Sequence, residues 1–216
     1  MKDALDAILQ ADQARYLEAI EPPRADLLAR MEARAAANRM PISDPEVASF
    51  LATLVRAQRP TAMVEIGTNI GYGAIVMAEA AGPSARVRTV EVRAETADIA
   101  RAYIAEAGLT SRIEVVTMEA IAFLDALADP VDLAYIDCVK EDYPAYLDRL
   151  IPRMRKGSVV VADNALWKGL VARDDVPADE RARVEALREF NRRIVSPPFR
   201  GVILPLGDGV AFGTLL

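Results

Sequence analysis

Apolar residues follow one rhythm before Pro60 and another after it. From Lys2 to about Gln58 they recur at helical spacing, with breaks at Pro22-Pro23 and around Met40-Pro41. The first segment places Leu5, Ile8, Leu9, Tyr16, Leu17 and Ile20 on one stripe, which predicts an amphipathic helix. Ser43 stands ahead of Asp44, Pro45 and Glu46. That order reads as an N-cap, a proline in the first turn and an acid at the positive helix end. The helix it opens would carry Val47, Phe50, Leu51, Leu54 and Val55 on one face.

After Pro60, short apolar runs alternate with helical stretches. The runs are Ala62 to Ile66, Val87 to Val90, Ile113 to Val116, Val131 to Ile136 and Val159 to Ala162. Helices are expected at Ala74 to Ala81, Glu95 to Ala107, Ala120 to Ala126 and Tyr143 to Met154, then a long charged one from Ala178 to Val195. Such alternation predicts an α/β fold with a doubly wound, mostly parallel sheet and right-handed crossovers. Phe199 to Leu206 and Val210 to Leu215, joined by Gly207-Asp208-Gly209, read as a hairpin adding an antiparallel strand. No linker interrupts the chain. It reads as a single domain over residues 1–216, with a helical extension at 1–58 and a core at 61–216.

Composition narrows the chemistry more than the fold. A chain of 216 residues suffices for one buried core. Its net charge of −6 weighs against a nucleic-acid footprint, although Arg24, Arg30, Arg34 and Arg39 can form a local basic stripe. One cysteine, Cys138, leaves no internal disulfide and fits a reducing compartment. With no histidine anywhere, Ser-His-Asp and Cys-His machinery and His-ligated zinc are excluded. Any general base must be Lys, Asp, Glu or Tyr. The amino terminus lacks the pattern of a signal peptide, and no apolar stretch approaches the ~20 residues that span a membrane. A cytoplasmic protein with no membrane association is expected.

Two groups carry candidate chemistry. Asp137 and Lys140 in YIDCVK end one apolar run, and Asp163-Asn164 in VVVADNALW end another. Two carboxylates and an amide carbonyl are hard oxygen ligands suited to Mg²⁺, Mn²⁺ or Ca²⁺. Lys140 stands where it can take a proton from a group bound to that metal. Ends of parallel strands are where open α/β folds place their ligands. An Asp-Asn pair also serves turns and N-caps, and a lone D-x-x-K is common on surfaces. Cys138 reads as a small buried residue and Trp167 as a wall of the substrate site. Tyr143 and Tyr146 fit either the core or a cofactor border.

The turn from Glu65 to Gly73 has the spacing G-x-x-x-G-x-G. It differs from the G-x-G-x-x-G of dinucleotide binders, and no P-loop lysine follows, so phosphate binding is not indicated. Glycines there permit close backbone approach to a ligand, or tight packing alone. Glu91 ends the next strand, where a carboxylate can accept both hydroxyls of a ribose or simply be solvated.

The segments VEIGTNIGYGA, RTVEVRAETADIARAYIAEAGL, DLAYIDCVKEDYPAYLDRLIPRMRKGSVVVADNALWKG and ILPLGDGVAF together resemble the bacterial cation-dependent O-methyltransferases of the catechol and caffeoyl-CoA type. The resemblance runs from about Asn38 to the end. It implies a class I methyltransferase (Rossmann-like) three-layer sandwich: a seven-stranded, mostly parallel sheet, its last strand antiparallel, with amino-terminal helices added. It also implies S-adenosyl-L-methionine as donor and Mg²⁺, or Mn²⁺ or Ca²⁺, as cofactor. By the family pattern, Glu65, Gly67 and Tyr72 line the methionine side of the donor, with Thr68 in the same turn. Glu91 holds the ribose, while Glu119 and Ala120 border the adenine. Met40 and Ile42 belong to the segment closing over cofactor and substrate. Asp137, Asp163 and Asn164 hold the metal, Asp137 also bordering the cofactor, and Lys140 is the base. Met40, Lys140, Asn164 and Trp167 would meet the acceptor.

The acceptor implied is a vicinal dihydroxy-aromatic small molecule. Some bacterial relatives methylate 5-hydroxyuridine in tRNA, which leaves a second acceptor open, and a non-catalytic cofactor-binding protein is a third reading. The resemblance also implies a homodimer, for which the amino-terminal helices offer apolar positions. Met118 and Ala48 stand where glycine is frequent in the family, the first narrowing the adenine pocket. Cys138 replaces a small residue or histidine.

Overall fold

The computed structural model describes residues 11–21 and 23–216. Leu5, Ile8 and Leu9 of the first expected helix, and Pro22 of the first expected break, lie outside the described residues. Helices α1 (Ala11–Ile20), α2 (Asp26–Asn38) and α3 (Pro45–Gln58) precede the sheet. Then come β1 (Ala62–Ile66), α4 (Tyr72–Ala80), β2 (Arg86–Glu91), α5 (Ala94–Glu106) and β3 (Ile113–Thr117). The second half runs α6 (Ala120–Ala126), β4 (Val131–Ile136), α7 (Tyr143–Leu150), β5 (Met154–Ala162), α8 (Arg181–Ile194), β6 (Phe199–Leu204) and β7 (Val210–Leu215). No helix among the described residues is long and apolar enough to cross a membrane.

All seven strands join one sheet in the order β3-β2-β1-β4-β5-β7-β6. Pairings from β3 across to β5 are parallel, and β7 runs antiparallel to both β5 and β6. Because successive side chains alternate between faces, each central strand feeds two cores. On β4, Leu133 and Tyr135 enter the layer with Val47, Leu51 and Ile75, while Ala134 and Ile136 enter the layer with Leu147 and Phe190. Burial on both faces is why these strands read as unbroken apolar runs.

The chain reverses its winding between β1 and β4, and a crevice opens past their carboxyl ends. Gly67 sits at that point with φ 105°, and a Cβ there would stand 2.1 Å from the Asp137 carbonyl oxygen. Only glycine lets the two strand ends come this close.

Three local expectations need correction. Helix α3 begins at Pro45, so its N-cap is Asp44, which makes no side-chain cap bond. Ser43 instead holds the Tyr135 hydroxyl at 2.7 Å, its oxygen engaged by the sheet. The helix expected to reach Met154 ends at Leu150, followed by a 3₁₀ turn over Ile151–Arg153. Pro152 lacks the N–H a longer α-helix needs, and Met154 already opens β5. Helix α8 starts at Arg181 rather than Ala178, because Glu180 N–H closes a turn onto the Pro177 carbonyl.

Candidate active site

Strands β4 and β5 each extend their ladder by one hydrogen bond beyond their last residue. Asp137 N–H donates to Ile66 O at 2.9 Å, and Asp163 N–H to Ile136 O at 3.0 Å. Both carboxylates thereby enter the crevice. Lys140 opens a 3₁₀ turn, and its Nζ reaches back to Asp137 Oδ1 at 2.8 Å. Asn164 is left-handed, φ 55°, a conformation asparagine tolerates, and its N–H donates to Asp163 Oδ1 at 2.7 Å. Beneath them the buried Tyr143 hydroxyl donates to the Asp163 carbonyl at 3.0 Å.

Asp163 is 4% exposed, and burial, then the Asp137 charge, push its carboxyl up to about 7. One ammonium faces two close carboxylates. Among the described residues no group of three or more His, Cys, Asp or Glu stands together, and the Asn164 amide lines the same crevice as the two carboxylates. Two repelling carboxylates and an amide carbonyl fit a hard divalent cation, which would relieve that repulsion.

The crevice holds a cavity of about 610 Å³. Ile42, Glu65, Gly67, Thr68, Tyr72 and Glu91 line it, together with Asp137, Lys140, Asp163, Asn164 and Trp167. Glu119 and Ala120 line a smaller space of about 90 Å³, beside Met118 and Tyr146; Gly67, Glu91 and Cys138 border both. Met40 is the exception: it packs, partly buried, against the core with α2 and α3 and does not line the cavity. Cys138 is half-buried on the shared wall rather than fully buried, because its neighbours leave the crevice side open. Tyr146 borders the small space, whereas Tyr143 is core.

Glu65 lies at the floor, 1% exposed. Thr89 Oγ1 donates to its Oε2 at 2.6 Å, and Thr68 Oγ1 stands 2.6 Å from Thr89 Oγ1, so the Thr68 hydroxyl donates inward. Burial pushes the Glu65 carboxyl up to about 8. A Cβ at Gly73 would stand 2.2 Å from Glu65 Oε1, which accounts for the last glycine of the motif. Glu91 accepts Asn69 N–H at 3.0 Å on Oε2, and Arg93 N–H at 3.1 Å and Arg93 Nε at 3.5 Å on Oε1, so Oε2 keeps a lone pair for a further donor. The Tyr72 hydroxyl is committed to Glu32 of α2.

Several participants escape sequence reading. The Asn69 side chain donates to Pro41 O, clamping the segment before α3 over the turn after β1; its only local sign is a place in that glycine-rich turn. At the far end of the crevice, Trp167 Nε1 donates to Glu180 at 2.9 Å, and the Arg183 guanidinium lies 4.7 Å from the Trp167 ring centre. Arg183 also pairs with Glu141 at 2.9 Å and Glu180 at 2.6 Å, so α8 builds one wall of the site. Trp167, Lys168 and Gly169 are all left-handed, and Lys168 N–H donates to Asp208 Oδ1 at 2.6 Å, which pins this strained run.

The arginine stripe is largely spent internally. Arg24 pairs with Glu21 and Glu32, Arg30 with Glu106, and Arg34 lies over Tyr103. A larger cavity, about 660 Å³, lies at the opposite edge of β1 to β3. Its arginines 86, 88, 101 and 112 are tied to carboxylates or carbonyls around them, and its own carboxylates, Glu114 and Asp129, both pair with Arg88. The crevice at the β1/β4 reversal instead gathers Asp137, Lys140, Asp163 and Asn164.

A seven-stranded sheet of this order, with an acid-lined crevice at the β1/β4 reversal, defines a class I methyltransferase. The O-methyltransferase family profile matches residues 17–214, and the chain belongs to that family of enzymes. A catechol O-methyltransferase of Mycobacterium tuberculosis is 37% identical over 140 residues, 64% of this chain and 64% of that protein. The chain thus spans just under two thirds of that relative. A caffeoyl-CoA O-methyltransferase of Stellaria longipes is 28% identical over 194 residues, 84% of this chain and 80% of that protein. Among solved structures, the O-methyltransferase from Bacillus cereus in complex with SAH superposes with a TM-score of 0.83 at 30% identity, covering 94% of this chain and 96% of that one.

Proposed function

We propose that the protein transfers a methyl group from S-adenosyl-L-methionine to one hydroxyl of a vicinal dihydroxy-aromatic small molecule, with a divalent cation such as Mg²⁺ held by Asp137, Asp163 and Asn164. The observation that carries this reading is the convergence of those three oxygen donors with Lys140 in the cavity that also contains Glu65 and Glu91. A protonated phenol is a poor nucleophile, its pKa near ~10 like that of tyrosine. The cation, when bound, supplies charge stabilisation for the phenolate. Lys140, as the neutral amine left when its ammonium has given a proton to solvent, takes the hydroxyl proton. Glu91 accepts a ribose hydroxyl, and the Trp167–Arg183–Glu180 wall orients the acceptor ring. The acceptor oxygen bonds to the methyl carbon as the bond from that carbon to sulfur breaks, with positioning supplying much of the acceleration.

Two further elements belong to the same reading. A homodimer is supported by Tyr16, Leu17 and Ile20 on α1, which are 64%, 48% and 57% exposed. A cytoplasmic location is supported by the lone cysteine. The tRNA alternative is weakened by the internal pairing of Arg24 and Arg30.

The test is methyl transfer to catechols with and without EDTA, beside Lys140→Ala. Activity is expected to vanish in EDTA and return with Mg²⁺, and Lys140→Ala should fall by about 10² or more while still binding S-adenosylhomocysteine. Undiminished turnover in EDTA would sink the cation mechanism. Turnover confined to tRNA would shift the acceptor.

A further inference from the structure

We propose that Tyr135, held in turn by Ser43, is a positioning residue for Asp163. Its hydroxyl fixes the carboxylate and ties it to the chain segment that roofs the crevice. This rests on the reading of Asp163 as a cation ligand.

Tyr135 is on β4, two residues before Asp137, and is 1% exposed. Its hydroxyl lies 2.7 Å from Ser43 Oγ and 3.4 Å from Asp163 Oδ2. A cation-bound carboxylate has no proton to give, and a phenol has one. The direction follows: Ser43 donates to Tyr135, and Tyr135 donates to Asp163. Each Asp163 oxygen then has one protein donor, Asn164 N–H on Oδ1 and Tyr135 on Oδ2. Tyr135 is the only side chain in that pair.

Packing does not require the hydroxyl. The Tyr135 ring belongs to the apolar layer with Val47, Leu51 and Met63, where phenylalanine would fill the same space. A buried hydroxyl costs free energy unless bonded, and here both partners belong to the crevice. Ser43, 8% exposed, lies in the segment that Asn69 clamps at Pro41. Outer-shell donors of this kind orient a ligand oxygen and hold it in place before the metal arrives.

The test is binding without turnover. Mn²⁺ titrations followed by electron paramagnetic resonance, and S-adenosylhomocysteine binding by calorimetry, would compare wild type, Tyr135→Phe, Ser43→Ala and the double variant. Tyr135→Phe should weaken Mn²⁺ binding about tenfold with S-adenosylhomocysteine affinity unchanged. Ser43→Ala should weaken it less, and the double variant should bind like Tyr135→Phe alone, because the two hydroxyls act in series. Wild-type Mn²⁺ affinity in Tyr135→Phe overturns the proposal. So does a parallel loss of S-adenosylhomocysteine affinity, which would mark general loosening, or losses that multiply in the double variant. A wild-type protein that binds no Mn²⁺ would instead remove the cation site beneath the proposal.

Discussion

Glu65 carries a carboxyl that the fold has taken almost wholly out of water. Burial raises it from 4.5 to about 8, against the pull of the Thr89 hydrogen bond. The folded state therefore holds a proton that the unfolded chain releases. Its contribution to stability is fully present below about 4.5 and is lost as pH rises through about 8. Asp163, raised to about 7, acts with the same sign. The melting temperature of the ligand-free protein should fall across that window, and Glu65→Gln should flatten part of the fall; an identical profile in the variant would remove Glu65 as a cause. The glutamate was visible in its glycine-rich turn. Its proton was not, since burial comes from Tyr135, Gly73 and Thr89, which surround it only after folding.

At the scale of elements, the β1 turn shows what a motif encodes and what it omits. The G-x-x-x-G-x-G spacing identified the turn, but the reason for Gly67 is the Asp137 carbonyl arriving from β4. Gly67→Ala places a Cβ 2.1 Å from that oxygen at φ 105°. It should cost about 3 kcal/mol or more by thermal or urea unfolding, and weaken S-adenosylhomocysteine binding. Gly82→Ala meets nothing within 4 Å and serves as the control, expected near neutral. Equal effects at the two positions would refute the close-approach explanation. Element ends were the least legible features: Ser43 looked like a cap because its neighbours Pro45 and Glu46 start a helix, yet its hydroxyl belongs to Tyr135.

For the whole molecule, the exposed face of α1 is the feature a lone copy leaves unexplained. Tyr16, Leu17 and Ile20 present clustered apolar surface of the kind that marks association. Size-exclusion chromatography with light scattering should find a dimer, and Tyr16→Glu with Ile20→Glu should shift it toward monomer while the melting temperature of the core stays close. A monomeric wild type would discard the dimer.

Sequence by itself determined the order of strands and helices, the parallel class of the sheet with its closing hairpin, and the strand ends where Glu91, Asp137 and Asp163 stand. These follow from periodicity and turn chemistry, which are local properties of the chain. Only the tertiary structure decided that β4 lies between β1 and β5, so that Asp137, Asp163 and Lys140 share one cavity. It alone packed Met40 against the core, brought Arg183 onto Trp167, and joined Ser43 to Asp163 through Tyr135. Those contacts link residues far apart in the chain. Their energies depend on distance and burial, which no local pattern of apolar and polar positions can carry.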